Sequence, residues 1–515
     1  MTNKTNRLLR WLAMVVAVPV ALTACGGGGE GSGGGGGGST NETLKIGIAQ
    51  EPTEWAPSRV QTILFPFTRQ VYDSLIEYDD DINPKPRLAT DWQINEDQTA
   101  VTITLRDDVV FHSGRKLTAK DVAANLEYFA DPETGQQMLG PMSVVKDWKV
   151  IDDTTLEVTF KQPIAEMQIT DLLQSWTIGD PEAFDQVAKR AEGTGPYVFR
   201  EWIPGERIVL ERNDDYWGGT PAYAKLEYRV FDDMDSLISA FESGVIDIGV
   251  EVPALDAERL KEKSTVLVGY PGALIDQWRI NPTKPPFDNA NVRKAINYAT
   301  DREAIMQALY QGYGEPTTLP YSKTSPAYDE KLAATLEYDL DKAKQLLEES
   351  GLPKSQLRAE ILVNSASQPQ QRAAQILQDA LGKIGFKLDI ALRDAAEYTE
   401  AMLAGNFQIM YAAIGNAQKF PTRITTNSIY RIEDSPVGAV EAFPDYVPAV
   451  EAANAAVTEE EQKEAFAELN RVLVDAMWVP TVGYMPTLWL VSKDVTGVER
   501  NVDNMLLLGK AKPAS

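Results

Sequence analysis

The chain has one cysteine, Cys25, and it closes a leader. Lys4, Arg7 and Arg10 form a basic patch, residues 11–22 are an apolar run broken by Pro19, and Leu22-Thr-Ala-Cys25 ends it on small residues. That order is the n-region, h-region and cleavage site of an export signal over residues 1–25. The run is too short to span a bilayer, which takes about 20 apolar residues. Export would place the remaining chain where disulfides form, yet no second cysteine is there to make one. Buried apolar area must therefore carry stability unaided, and 515 residues exceed a single core. At least two lobes are expected.

The end of the leader resembles a bacterial lipobox, which implies acylation of Cys25 and a lipid anchor in a membrane. Residues 26–40 are nearly all glycine and read as a flexible tether. No strand precedes them and no Gly-Lys-Ser/Thr ends them, as a phosphate-cradling loop would require. Such a tether reaches on the order of 20 Å as a coil. The net charge of −26 argues against nucleic acid as a partner. With His112 the single histidine, no His/Cys metal cluster can be assembled, and neither metal nor cofactor is expected. His112 sits in Phe111-His-Ser-Gly114, a turn after a strand, and reads as structural.

The first half reads as strands. Leu44, Ile46 and Ile48 alternate, as do Val101, Ile103 and Leu105, and residues 148–160 read as a hairpin turning at Asp152-Asp153. Residues 63–78 are expected to be helical, and Thr118 caps a helix with Asp121 three residues on. The second half changes style. Asn289 and Asp301 precede helical spacing, and residues 359–363, 371–384 and 386–390 read as strand, helix and strand, with Gly385 as the stop. That βαβ unit implies a parallel pair with a crossover helix. Residues 407–411 read as a strand, 450–478 as mostly helix, and 481–491 as a returning strand.

Several stretches, in this order, resemble the family 5 extracellular solute-binding proteins of ABC importers, the dipeptide and oligopeptide group. They are Val71-Tyr-Asp-Ser-Leu75, Leu88-Ala-Thr-Asp-Trp92, "TAVTITLRDDVVFHSGRKLT" at 99–118 and "GTGPYVFREWIPGERIVLERNDDYW" at 193–217. Pro285-Pro-Phe-Asp288, Val292-Arg-Lys-Ala295 and Asp301-Arg302 continue the match. The resemblance implies an α/β, two-lobed periplasmic-binding-protein fold with an extra subdomain in the first lobe and a ligand cleft between lobes. Lobe I would be 41–270 and 487–515 with an outer insert near 76–192, and lobe II would be 271–486.

It further implies a lipid-anchored, extracytoplasmic monomer. The chain would capture a small organic solute by lobe closure and hand it to a permease with an ATPase partner. Aromatic walls around a few polar groups are expected in the cleft. The candidates are Trp55, Trp278, Tyr411, Asn416 and Tyr484. Peptide-binding members carry an acid shortly after the strand corresponding to 407–411, opposite the peptide's α-amino group. Here residues 412–421 contain no acid and offer Lys419, with Arg423 just beyond. Burying an ammonium with no opposed carboxylate is costly. The departure therefore favours a carboxylate-bearing or sugar-like solute, unless Asp276 or Glu51 substitutes. The competing class is an extracytoplasmic hydrolase with paired carboxylates, about 5–9.5 Å apart if it were a glycosidase.

Overall fold

Three sheets carry the fold of this computed structural model, which describes residues 43–59, 67–426, 430–432 and 437–515. The leader, Cys25 and the 26–40 tether lie outside the described residues. The first sheet has seven strands, in the order Tyr197–Ile203, Arg207–Arg212, Lys225–Val230, Thr43–Ile48, Ile248–Gly249, Leu488–Ser492 and Ser264–Val268. Lys225–Val230, Thr43–Ile48 and Ile248–Gly249 run parallel, with Thr43 opposite Lys225 and Ile46 opposite Ile248. Leu44, Ile46 and Ile48 are buried, as their alternation requires.

The second sheet has six strands, in the order Glu315–Pro316, Thr481–Tyr484, Leu274–Ile280, Ile409–Gly415, Arg358–Asn364 and Lys387–Arg393. Its last three strands are parallel. Arg358–Asn364 and Lys387–Arg393 are joined by helix Gln368–Lys383, which buries Ala373, Leu377, Ala380 and Leu381 against the sheet. Gly385 follows it at φ +83°, a left-handed position suited to glycine. A third, antiparallel sheet of four strands spans Ala89–Ile94, Ala100–Leu105, Thr155–Phe160 and Val145–Val150. Its inner side chains pack with helix Ala119–Ala130 into a separate core. That helix starts where the sequence places it, because Asp121 accepts the Thr118 N–H at 2.8 Å.

Three elements differ from the sequence expectation. In place of a helix over 63–78, the described part has one turn of helix, Thr68–Val71, then the short strands Asp73–Ser74 and Ile76–Tyr78. Tertiary bonding decides this. Gly195 donates its N–H to Val71 O at 2.9 Å, and the buried Asp73 carboxylate takes bonds from Arg87, Thr194 (3.0 Å), Trp217 (2.9 Å) and Tyr216 (3.2 Å). The helical stretch 450–478 is two helices, Tyr446–Ala455 and Glu459–Ala476, because Thr458 and Glu461 form a new capping box. The returning strand is also two: Thr481–Tyr484 in the second sheet and Leu488–Ser492 in the first, with residues 485–487 crossing between them. A second crossing, residues 269–273, joins Ser264–Val268 to Leu274–Ile280.

Candidate functional site

Both crossings leave the first sheet at one end, since Val268 is paired with Leu488. At that same end the parallel strands Thr43–Ile48, Lys225–Val230 and Ile248–Gly249 finish. In the second sheet Leu274 is opposite Gly415 and Ile275 opposite Tyr484, so its parallel strands finish at the crossing end too. Loops at the carboxyl ends of parallel strands are the ligand-binding edge of open α/β sheets. The chain thus turns two such edges toward the same crossings.

Residues 416–423, which leave Ile409–Gly415, bridge to the first half of the chain. Gln418 Nε2 donates to Val502 O (3.2 Å) and Asp503 Oδ1 (3.0 Å). Lys419 Nζ reaches Gln174 Oε1 at 2.8 Å and Asp503 Oδ1 at 2.9 Å. The Phe420 N–H donates to Asp171 Oδ2 at 2.8 Å. Gln174 Nε2 also donates to Asp503 Oδ2 at 2.6 Å. Burial pushes the Asp503 carboxyl up, but the Lys419 ammonium, with Arg69 and Gln174, more than offsets it and holds it below the usual range. For Asp171 burial wins, and its carboxyl is raised despite Lys419 and the Phe420 N–H.

Beside this latch lies a cavity of about 330 Å³. One wall is Pro141, Val144, Ile164 and Leu172 with Gln162, Gln168, Asp171 and Ser175; the other is Asn416, Lys419, Phe420, Thr422, Arg423 and Asn454. An apolar lining with a few converging polar groups, at this size, suits a small organic solute. Asp171 is the single carboxylate among these lining residues, so the cavity itself holds no carboxylate pair.

Of the candidates read from sequence, Asn416, Lys419 and Arg423 come together on this cavity. Asn416 adopts φ +70° and anchors the turn through Lys419 N–H to its carbonyl at 3.1 Å. Lys419 is 7 % exposed, and its ammonium is ion-paired with Asp503. The other four lie in packing cores. Trp55 is surrounded by Phe67, Phe199 and Trp202, and its carbonyl accepts the Tyr72 hydroxyl at 2.6 Å. Trp278 donates Nε1–H to Thr300 at 3.0 Å and meets Tyr411 edge-on at 5.3 Å. Tyr411 is buried beneath Tyr398, whose hydroxyl binds its carbonyl at 2.8 Å, and Tyr484 donates to Tyr321 O at 2.8 Å. Aromatic volume draws these four into cores wherever the sheet faces are covered.

Both substitute acids already hold a partner, although Asp276 Oδ1 accepts no hydrogen bond among the described residues. Tyr310 donates its hydroxyl to Asp276 Oδ2 at 2.5 Å inside the second sheet's core, and Glu51 holds Trp202 Nε1 (2.8 Å) and Gly205 N (2.9 Å). Asp171, Gln174 and Asp503 escaped the sequence reading. They lie in segments far apart in the chain, and no local pattern marks them as neighbours of 416–423. His112 is structural in geometry: Gly193 N–H donates to Nδ1 at 3.4 Å, which leaves the Nε2 proton to bond Gly195 O at 2.9 Å.

The family described as bacterial extracellular solute-binding proteins, family 5, matches residues 83–428. The chain belongs to that family. It is 26% identical to heme-binding protein A of Haemophilus influenzae over 403 residues, covering 71% of this chain and 73% of that protein. It is 28% identical to the glutathione-binding protein GsiB of Salmonella typhimurium over 335 residues, 64% of this chain and 65% of that relative's length. Among solved structures, the ABC transporter substrate-binding protein CtaP of Listeria monocytogenes superposes with a TM-score of 0.82 at 23% identity, covering 92% of this chain and 99% of that one. The fold is therefore the two-lobed α/β architecture of periplasmic binding proteins.

Proposed function

We propose that this family 5 protein is the solute-capturing component of an ABC importer, held outside the cytoplasm by lipid on Cys25. The observation that carries the reading is the seam: residues 418–420 reach across to 171–174 and 502–503 beside a cavity of about 330 Å³. Lobe I is 41–270 and 487–515, with an outer insert near 76–192, and lobe II is 271–486. A solute that touches both lobes shifts the population toward the closed state, because it binds that state better. The closed monomer then docks on a membrane permease whose cytoplasmic partner hydrolyses ATP.

The solute is a small organic molecule, peptide-like in the first instance, with anionic and sugar-like compounds in range. Family membership alone does not set it, since relatives are named for heme and for glutathione. Asn416, Lys419 and Arg423 line one wall of the cavity, and a carboxylate on the solute would lie among them. A thermal melt of the processed chain against peptides, organic acids, amino-acid conjugates and oligosaccharides tests the reading. A solute at 100 times its Kd should stabilise by about 2.7 kcal/mol, and the solute should be recovered unchanged. A solute converted to product, with turnover lost in a cleft carboxylate variant, would contradict it. The anchor has its own test. Cys25→Ala should move the protein from the membrane fraction to the soluble one; unchanged membrane retention would sink lipidation.

A further inference from the structure

Every carboxylate described so far accepts at least one hydrogen bond. Asp503 holds Lys419 and Gln174, Asp171 accepts from Phe420 N–H and from Tyr78, Glu51 holds Trp202, and Asp276 holds Tyr310. Glu251 does not follow this pattern. Its Oε1 is buried with no hydrogen-bond partner among the described residues, while the residue as a whole stays partly exposed. No charged neighbour among the described residues opposes it, and burial pushes its carboxyl up to about 7. Its backbone sits at φ +55°, a left-handed conformation that disfavours a side chain with a Cβ. Strain of this kind persists only where surrounding structure enforces it, and it clusters at binding sites.

The surroundings here do enforce it. Val250 donates its N–H to Gly47 O at 3.1 Å, and Val252 donates to Leu488 O at 2.9 Å. Glu251 is thus pinned on both sides at the end of the first sheet where the parallel strands finish and both crossings leave. Val250 belongs to the core of the first sheet, with Ile46 and Trp489, whereas Val252 belongs to the core that continues into the second lobe, with Ile275 and Trp278. The backbone of residue 251 therefore runs from one core to the other. A buried, unopposed carboxylate destabilises the empty protein and is stabilised by any cation that enters beside it.

We propose that Glu251 receives a cationic group of the captured solute, an ammonium or a guanidinium, at the junction of the two lobes. The proposal rests on the solute-capture reading and adds the solute's charge to it. It also supplies from the first lobe an acid that residues 412–421 of the second lobe lack.

The test compares the processed wild-type chain with Glu251→Gln in thermal melts and calorimetric titrations. The probes are di- and tripeptides with free amino termini, the same peptides N-acetylated, and the diamine cadaverine and agmatine. Free-amine or guanidinium probes should stabilise the wild type and their acetylated counterparts should not. Glu251→Gln should bind the same probes at least tenfold more weakly. Without a solute, that variant should melt no lower than the wild type, because an amide replaces an unpaired buried carboxylate. Equal responses to free and acetylated peptides, a response to acids or sugars alone, or wild-type affinity in Glu251→Gln would overturn the assignment and leave solute capture standing. A wild-type chain that no solute of any class stabilises would overturn both.

Discussion

His112 is held as a neutral imidazole between Gly193 and Gly195, and burial pushes its pKa down to about 4. An unfolded chain titrates this group near the ordinary value of about 6.5. Between those two values the unfolded state binds a proton that the folded state does not, so this contribution to stability falls as pH drops through the window. His112→Gln should flatten that part of the curve: melts from pH 7 to 4 should show the wild type losing more stability than the variant, by about 1.4 kcal/mol per unit of pKa shift. Parallel curves would contradict the burial argument. A structural His112 was legible from its place in a turn after a strand. Glu251 was not, because what distinguishes it is a missing partner, and a missing partner is a property of the folded neighbourhood. Trp55, Trp278, Tyr411 and Tyr484 show the reverse case. Their residue type suits a cleft wall and a core equally well, and only the covering elements decide which they join.

The turn Gly193-Thr-Gly-Pro-Tyr197 ties the turn that holds His112 to the short helix Thr68–Val71. A Cβ on Gly193 would come within 2.2 Å of Val71 O, and one on Gly195 within 2.5 Å of Gln70 O. Gly193→Ala should therefore destabilise by about 1–3 kcal/mol, the usual cost of forcing atoms into a packed site. Chemical denaturation reads this directly, and a variant as stable as the wild type would mean that the helix and turn can part freely. Elements built on local periodicity were readable in advance. The strand Thr43–Ile48, the hairpin of Val145–Val150 with Thr155–Phe160, and the βαβ unit ending at Lys387–Arg393 all carry their burial pattern in consecutive residues. The stretch 63–78 does not. Its apolar run suits a helix, but the bonds that Arg87, Thr194, Tyr216 and Trp217 make to Asp73 end it, and those come from more distant sequence. The split of 481–491 between two sheets is likewise invisible to an alternation that continues across residues 485–487.

At the scale of the whole molecule, the proposed closure would rest on few side chains. Lys419 and Asp503 form a largely buried pair across the seam, and removing one charge from such a pair leaves the other uncompensated. Lys419→Met should shift the chain toward the open state and weaken solute binding about tenfold, near 1.4 kcal/mol of closure. Titration calorimetry checks the affinity, and an unchanged Kd would show that the latch is incidental. The two-lobed plan was legible through ordered motifs, while the seam was not, since residues 171–174, 416–423 and 503 share no local pattern. The most direct test of lobe closure is small-angle scattering of the processed chain, titrated with whichever solute stabilises its melt. The radius of gyration should fall as the solute saturates, and the solute-free radius should be larger for Lys419→Met than for the wild type. A radius unchanged from empty to saturated chain, in both proteins, would contradict capture by closure.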